Sequence, residues 1–66
     1  MTKEEAIKAM SEGKKVTHPR FMPSECMTML MGMIVFDDGV VGTAYTPQEF
    51  WQWRTATVWN DGYEIF

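Results

Sequence analysis

The stretch from Cys26 to Val41, CMTMLMGMIVFDDGVV, constrains the fold more than any other part of the chain. In an extended chain, successive side chains point to opposite sides. One side would then carry Met27, Met29, Met31, Met33 and Val35, and the other would carry Thr28, Leu30, Gly32, Ile34 and Phe36. Because neither side is polar, both need cover. We therefore expect a sheet with its own helices on one face and a partner on the other.

Gly32 leaves the pairing of this stretch open. It can mark a tight turn between strands Met27–Leu30 and Met33–Phe36, or a bulge in one long strand. The short lengths and the second turn signal at Asp38-Gly39 favour the turn, and hence a meander of two or three strands.

Two helices are predicted from their start signals. Thr2 and Glu5 form a capping box, and the apolar residues that follow recur on one helical face, so a helix is expected from Lys3 to Glu12. Thr46 and Glu49 form a second box. Pro47 then takes the first helical position, where its missing N–H costs nothing, and a short helix is expected from Pro47 to about Thr55.

Two short strands complete the prediction. Lys15–His18 reads as a strand that ends at Pro19, and after a loop through Trp59–Gly62 the tail Tyr63–Phe66 reads as a closing strand. The predicted fold is a single α+β domain over 1–66. It contains a small antiparallel sheet of three or four strands, with the N-terminal helix and the short second helix on one face.

A chain of 66 residues is close to the size at which a small domain needs a disulfide, a bound metal ion or oligomerisation to be stable. The single Cys26 cannot form an intrachain disulfide, and with His18 it offers too few ligands for a structural zinc site. No metal or other cofactor is expected. A homo-oligomer, dimer or tetramer, is the remaining way to stabilise the fold.

The net charge of the chain limits the kinds of molecule that it can bind. A net charge of -3, from nine acidic and six basic residues, argues against general nucleic-acid binding, which depends on cations that neutralise phosphates. No apolar run is long enough to span a bilayer, and the amphipathic start MTKEEAIKAM is unlike a signal peptide. We therefore expect no membrane association and a cytoplasmic location.

The sequence contains no recognisable catalytic motif. His18 and Cys26 have no oriented third group nearby in the sequence, and a free cysteine beside an apolar strand is usually a small core residue. Asp37-Asp38 and Asp61 precede glycines and are typical of turns. We therefore expect a protein that is not an enzyme.

Arg54 is the residue most suggestive of a binding site. It falls in an aromatic arc with Trp53 and its helical neighbours, and Trp59 follows closely in the sequence. An arginine held over tryptophan can bind a phosphate while a ring stacks on a base. The alternative is an arginine that complements the end of its helix and lies across core rings. The methionines likewise suit either a core or subunit interface, or an adaptable surface for protein partners.

Both ends of the chain carry a family resemblance. The opening EEAIKAMSEGKKVTHPRF and the ending VWNDGYEIF resemble the second Thoeris anti-defence family of small phage proteins. That family has a helix with E-A, then G-K-K-V and R-x-G-W, and a closing strand with an aromatic followed by E-I or E-V. Its members resemble molecular sponges, tetramers that sequester cyclic nucleotide signals of bacterial immune systems. The resemblance implies binding roles for His18, Arg20, Phe21 and Tyr63, although Met22-Pro23-Ser24-Glu25 replaces the family's Asn-Gly-Lys-Gly turn.

The resemblance implies a phage-encoded inhibitor of a bacterial defence system that acts in the host cytoplasm, and the lack of catalytic motifs makes a non-enzymatic one the expectation. It would either sequester a cyclic nucleotide or block a host defence protein. The alternatives are a protein–protein inhibitor of a host nucleic-acid enzyme, of the anti-CRISPR or anti-restriction kind, and a virion accessory protein. The predicted ligand-binding residues are His18, Arg20, Phe21, Trp53, Arg54, Trp59 and Tyr63.

Overall fold

The computed structural model describes residues 1–66 and confirms the α+β fold. The elements, in chain order, are α1 Lys3–Ser11, β1 Val16–Thr17, β2 Cys26–Leu30, β3 Met33–Asp37, β4 Gly42–Tyr45, α2 Pro47–Gln52, a 3-10 helix Thr57–Asn60 and β5 Glu64–Ile65. The strands form one antiparallel sheet in the order β4-β3-β2-β1-β5. The sheet has five strands rather than three or four because β4 pairs along β3 after the second turn.

Both helices begin at the predicted capping boxes. The Thr2 hydroxyl accepts the Glu5 N–H at 3.2 Å while the Glu5 carboxylate accepts the Thr2 N–H at 2.8 Å. Thr46 and Glu49 repeat this exchange at 3.1 and 3.0 Å. Reciprocal caps satisfy two backbone donors that a helix start otherwise leaves without partners.

Helix α2 ends at Gln52, earlier than the predicted Thr55. In a continuing helix the Arg54 N–H would bond to the Phe50 carbonyl. The Arg54 N–H donates instead to the Trp51 carbonyl at 2.9 Å. The Arg54 guanidinium donates to the Phe50 carbonyl at 3.0 Å. The side chain of Arg54 therefore replaces the next helical hydrogen bond. The segment predicted as a loop up to Gly62 contains the 3-10 helix.

A two-residue turn at Met31-Gly32 joins β2 to β3, which settles the open pairing in favour of the meander. Both turn residues have positive φ, 52° and 78°, as a type I′ turn requires. The turn pairs Leu30 with Met33, so these two side chains point to the same face of the sheet.

The expected methionine stripe, with Met27, Met29, Met31 and Met33 on one side of an extended chain, is therefore wrong. Passing through a two-residue turn changes the side-chain alternation, because residues three apart now share a face. By register, Met27 and Met29 lie on the face that carries Ile34, whereas Met33 lies on the other face with Leu30. The methionines divide between the two faces of the sheet.

The core lies between the two helices and one face of the sheet. It consists of eight buried residues: Ala6, Ala9, Met10, Val16, Met27, Ile34, Phe50 and Tyr63. Both helices contribute, which confirms that they cover the same face. On the opposite face Leu30 is 63% exposed and the neighbouring Met33, Val35 and Ala44 are exposed or half-buried. No element of the chain packs over these side chains, which we call the open face.

Cys26 is buried and unpaired, as expected for a small apolar residue, although it lies outside the eight-residue core cluster. Burial raises the pKa of its thiol, which lowers the fraction of reactive thiolate. Neither helix has the length and apolar character needed to cross a membrane.

Candidate functional site

His18 lies directly after β1 and is 4% exposed, the only polar residue in the buried set. Its ring is fixed at both nitrogens. The Arg20 N–H donates to Nδ1 at 3.0 Å, so Nδ1 is an acceptor and the proton is on Nε2. Nε2–H then donates to the carbonyls of Val58 and Asp61, at 3.0 and 2.9 Å. His18 therefore ties the end of β1 to the 3-10 segment.

Aromatic rings enclose this histidine. The centroids of Trp59 and Tyr63 both lie 4.6 Å from the imidazole, and that of Phe21 lies 5.9 Å away. The Tyr63 hydroxyl donates to the Trp59 carbonyl at 2.7 Å. We call His18, Phe21, Trp59 and Tyr63 the His18 cluster. The two imidazole nitrogens and the Tyr63 hydroxyl are hydrogen-bonded within the chain, and these bonds hold the 3-10 segment against the sheet.

The His18 cluster leads to a pH prediction. Burial raises the pKa of Tyr63 from 10.0 to about 12. The unfolded chain therefore releases the phenolic proton at a lower pH than the folded chain does. Stability that is complete below pH 10 should fall as the pH rises from 10 to about 12.

Unfolding by urea at a series of pH values checks this prediction, with Tyr63→Phe as the control. The variant cannot ionise at this position, so its free energy of unfolding should change less across that interval. An equal slope for both proteins would contradict the assignment to Tyr63.

Arg54 lies beyond the end of α2, between the His18 cluster and the aromatic residues of α2. Its guanidinium carbon is 3.9 Å from the Phe50 ring centroid and 5.4 Å from that of Trp59. Together with the bond to the Phe50 carbonyl, these contacts fit the interpretation of Arg54 as a helix-end arginine packed over core rings.

The guanidinium of Arg54 has ring and carbonyl contacts but no carboxylate partner. The two ion pairs in the structure are Met1–Asp61 and Lys14–Glu12, so no carboxylate lies within 4.0 Å of this guanidinium. Its Nε is buried without a hydrogen-bond acceptor. Burial also lowers the pKa of Arg54, although an arginine stays protonated at neutral pH. A half-buried cation with an unused donor is costly to the fold unless it meets an anion.

A cleft of about 480 Å³ opens beside Arg54, between α2 and the β3–β4 side of the sheet. We call it the Arg54 cleft. Its size is in the range of small-molecule sites. The lining residues are Phe36, Tyr45, Glu49, Phe50, Gln52, Trp53 and Arg54.

Two aromatic rings at the Arg54 cleft are open to solvent. Trp53 is 79% exposed and Tyr45 is 36% exposed. The Glu49 carboxylate in the wall is already bonded to the Thr46 N–H and hydroxyl, at 3.0 and 2.9 Å. The cleft therefore combines one cation without a carboxylate partner, one carboxylate held by Thr46, and aromatic surface. The free guanidinium and the exposed rings suit a planar ligand that carries a single negative charge.

The predicted site residues separate into two groups. His18, Phe21, Trp59 and Tyr63 come together, but in the His18 cluster, where the imidazole nitrogens are occupied. Trp53 and Arg54 come together at the cleft. Arg54 joins the groups through its approach to Trp59. Arg20 is exposed, and its contact with the site is the backbone bond to His18.

Sequence reasoning missed the sheet side of the cleft. Phe36 and Tyr45 reach it from β3 and β4. Tyr45 carried one usable signal, because it precedes the Thr46 cap at the position of a hydrophobic staple with Phe50. The two ring centroids are 6.0 Å apart.

Comparison with protein-family models, with curated proteins and with solved structures finds no match to this chain.

Proposed function

We propose that this protein is a small, phage-encoded, non-enzymatic inhibitor of a bacterial defence system, and that it sequesters a nucleotide signal in the Arg54 cleft. The observation that carries the proposal is the guanidinium of Arg54, half-buried and without a carboxylate partner beside a cleft with an exposed tryptophan. The resemblance at the two ends of the chain supplies the biological setting, the cytoplasm of an infected cell.

The chemistry of the Arg54 cleft matches the parts of a nucleotide. A guanidinium suits phosphate oxygens because its donors form a planar fork. Trp53 and Tyr45 offer ring faces on which a base can stack, an interaction worth about 1–3 kcal/mol per base. Arg54 is the one cation in the cleft and the Glu49 carboxylate is in the same wall, so a singly charged phosphodiester, as in cyclic nucleotides, fits better than a polyphosphate.

We also propose that the protein is a homo-oligomer, a dimer or tetramer, that uses the open face. Ten of 66 residues are buried within one chain, which is a small core. Leu30 and its neighbours on the open face form an apolar surface that a second copy would cover. Sedimentation of the protein at micromolar concentration should show the oligomer, and a sharp monomer would contradict it.

A second candidate function is inhibition of a host nucleic-acid enzyme by direct contact. The tip of the β2–β3 turn supports this alternative, because Met31 is 94% exposed next to Leu30 at 63%. An adaptable methionine on a protruding turn suits insertion into a protein groove. Salt-sensitive capture of a host protein, with no small ligand bound, would favour this function over sequestration.

Sequestration is tested by recovering the signal intact. Protein is mixed with a cyclic nucleotide signal, the free nucleotide is measured, and the protein is then denatured by heat. We expect free nucleotide to fall on mixing and to return unchanged on heating, because nothing is cleaved. A chemically altered product would show an enzyme, and an unchanged free concentration at the start would contradict binding.

A further inference from the structure

We propose that β4 is a pairing edge at which a second copy of this chain adds its own β4, so that two sheets join into one across a two-fold axis. This interface differs from the open face and does not depend on the ligand proposal. It follows from which backbone groups of β4 lack partners and from the side chains beside them.

The register identifies the unpaired backbone groups. Antiparallel ladders alternate between pairs that exchange hydrogen bonds and pairs that do not. The Asp38 N–H donates to the Val41 carbonyl at 3.2 Å, which marks one hydrogen-bonded position at the start of the β3–β4 ladder. Hydrogen-bonded positions recur at every second residue, so Thr43 and Tyr45, two and four residues after Val41, direct their backbone N–H and C=O groups toward β3. Gly42 and Ala44 therefore direct theirs away from the sheet.

The β4 edge lacks the sequence features that prevent two sheet edges from pairing. Sheet edges are usually protected by charged side chains, proline or very short strands. The segment 41–45, Val-Gly-Thr-Ala-Tyr, contains neither charge nor proline, and Val41 is 59% exposed. The other edge, β5, has two residues, and one of them is Glu64. An uncharged edge lets two copies approach even though each has a net charge of -3.

One register between the two β4 strands pairs all the outward backbone N–H and C=O groups of Gly42 and Ala44. If Thr43 lies opposite Thr43 of the second copy, Gly42 of each chain meets Ala44 of the other, and about four interchain hydrogen bonds form. Val41 then lies opposite Tyr45 of the second copy, on the helix-covered side. Such pairs of a β-branched and an aromatic side chain stabilise antiparallel strands, as do facing threonines. Each strand is thus complementary to itself.

The proposed pairing also brings the second copy to the ligand site. Tyr45 is the last residue of β4 and part of the wall of the Arg54 cleft. Combined with an interface at the open face, two different two-fold contacts give a closed tetramer with dihedral symmetry.

The test is disulfide trapping in the full chain with Cys26→Ser as background. In the proposed register the two Thr43 residues form a pair without hydrogen bonds, whose Cα atoms are about 4.5 Å apart, close enough for a disulfide. Thr43→Cys should therefore give a covalent dimer under mild oxidation. Ala44→Cys is the matched control, since its two copies would lie about 7–8 Å apart and should remain largely unlinked.

Two further variants separate this edge from other contacts. Ala44→Pro removes an outward N–H and leaves the β3 ladder intact, so the monomer should fold and the β4-dependent dimer should be lost. Val35→Glu places a charge on the open face and should leave Thr43→Cys trapping in place. Absence of trapping at Thr43, or equal trapping at Thr43 and Ala44, would overturn the proposal.

Discussion

Replacing His18 by alanine is expected to lower the free energy of unfolding by about 3 kcal/mol. The change removes a buried ring packed 4.6 Å from both Trp59 and Tyr63. It also leaves the Arg20 N–H and the carbonyls of Val58 and Asp61 without the imidazole. For a domain of this size, such a loss should lower the melting temperature by more than about 10 °C.

Chemical denaturation followed by tryptophan fluorescence measures this loss. Arg20→Ala is the matched control, because the side chain is exposed and its backbone N–H still donates to His18. The control should change stability by less than about 0.5 kcal/mol. Equal stability of His18→Ala and the wild type would contradict the structural role and return His18 to the set of candidate ligand groups.

Replacing Arg54 by methionine is expected to weaken binding of a cyclic nucleotide by roughly 10- to 100-fold. The lost interaction is a charge-assisted hydrogen bond, worth about 1.5–3 kcal/mol, and each 1.4 kcal/mol is a factor of ten in affinity. Methionine keeps an unbranched stem over the Phe50 ring and removes the charge. The fold should lose about 1 kcal/mol, because the Phe50 carbonyl loses its guanidinium donor.

Quenching of tryptophan fluorescence by added nucleotide measures this affinity, since Trp53 lines the cleft. Gln52→Ala is the control. It removes an exposed lining residue without changing the charge and should bind nearly as the wild type does. Unchanged affinity in a folded Arg54→Met protein would show that Arg54 only completes the end of its helix.

Local signals predicted most of the fold. The capping boxes at Thr2 and Thr46 lie within one helical turn of the residues they bond, so their geometry is determined by nearby sequence. At Gly32 the sequence favoured a turn over a bulge, and the structure contains the turn at Met31-Gly32. Its effect on side-chain direction requires the register on both sides of the turn, and the predicted methionine stripe fails for that reason.

The candidate site was harder to predict from the sequence, because it is built from contacts between segments that are distant along the chain. His18 meets the carbonyls of Val58 and Asp61 only when β1 and the 3-10 segment are packed together. The resemblance implies a binding role for His18 and Tyr63, and this role stays a prediction. The structure shows that the imidazole nitrogens and the Tyr63 hydroxyl are hydrogen-bonded to backbone groups of the chain. The Arg54 neighbourhood was predicted more closely, because Trp53 and Phe50 lie within the same helical turn. Its sheet side at Phe36 depends on strand pairing.

Native mass spectrometry of protein purified gently from cells with an active nucleotide-signalling defence tests the central claim most directly. The wild type should appear as an oligomer that carries a few hundred daltons per occupied site, and the added mass would identify the class of signal. Arg54→Met, purified in parallel, should give the same oligomer without the added mass. A bare wild-type protein, or equal added mass on both proteins, would contradict sequestration of a nucleotide by the Arg54 cleft.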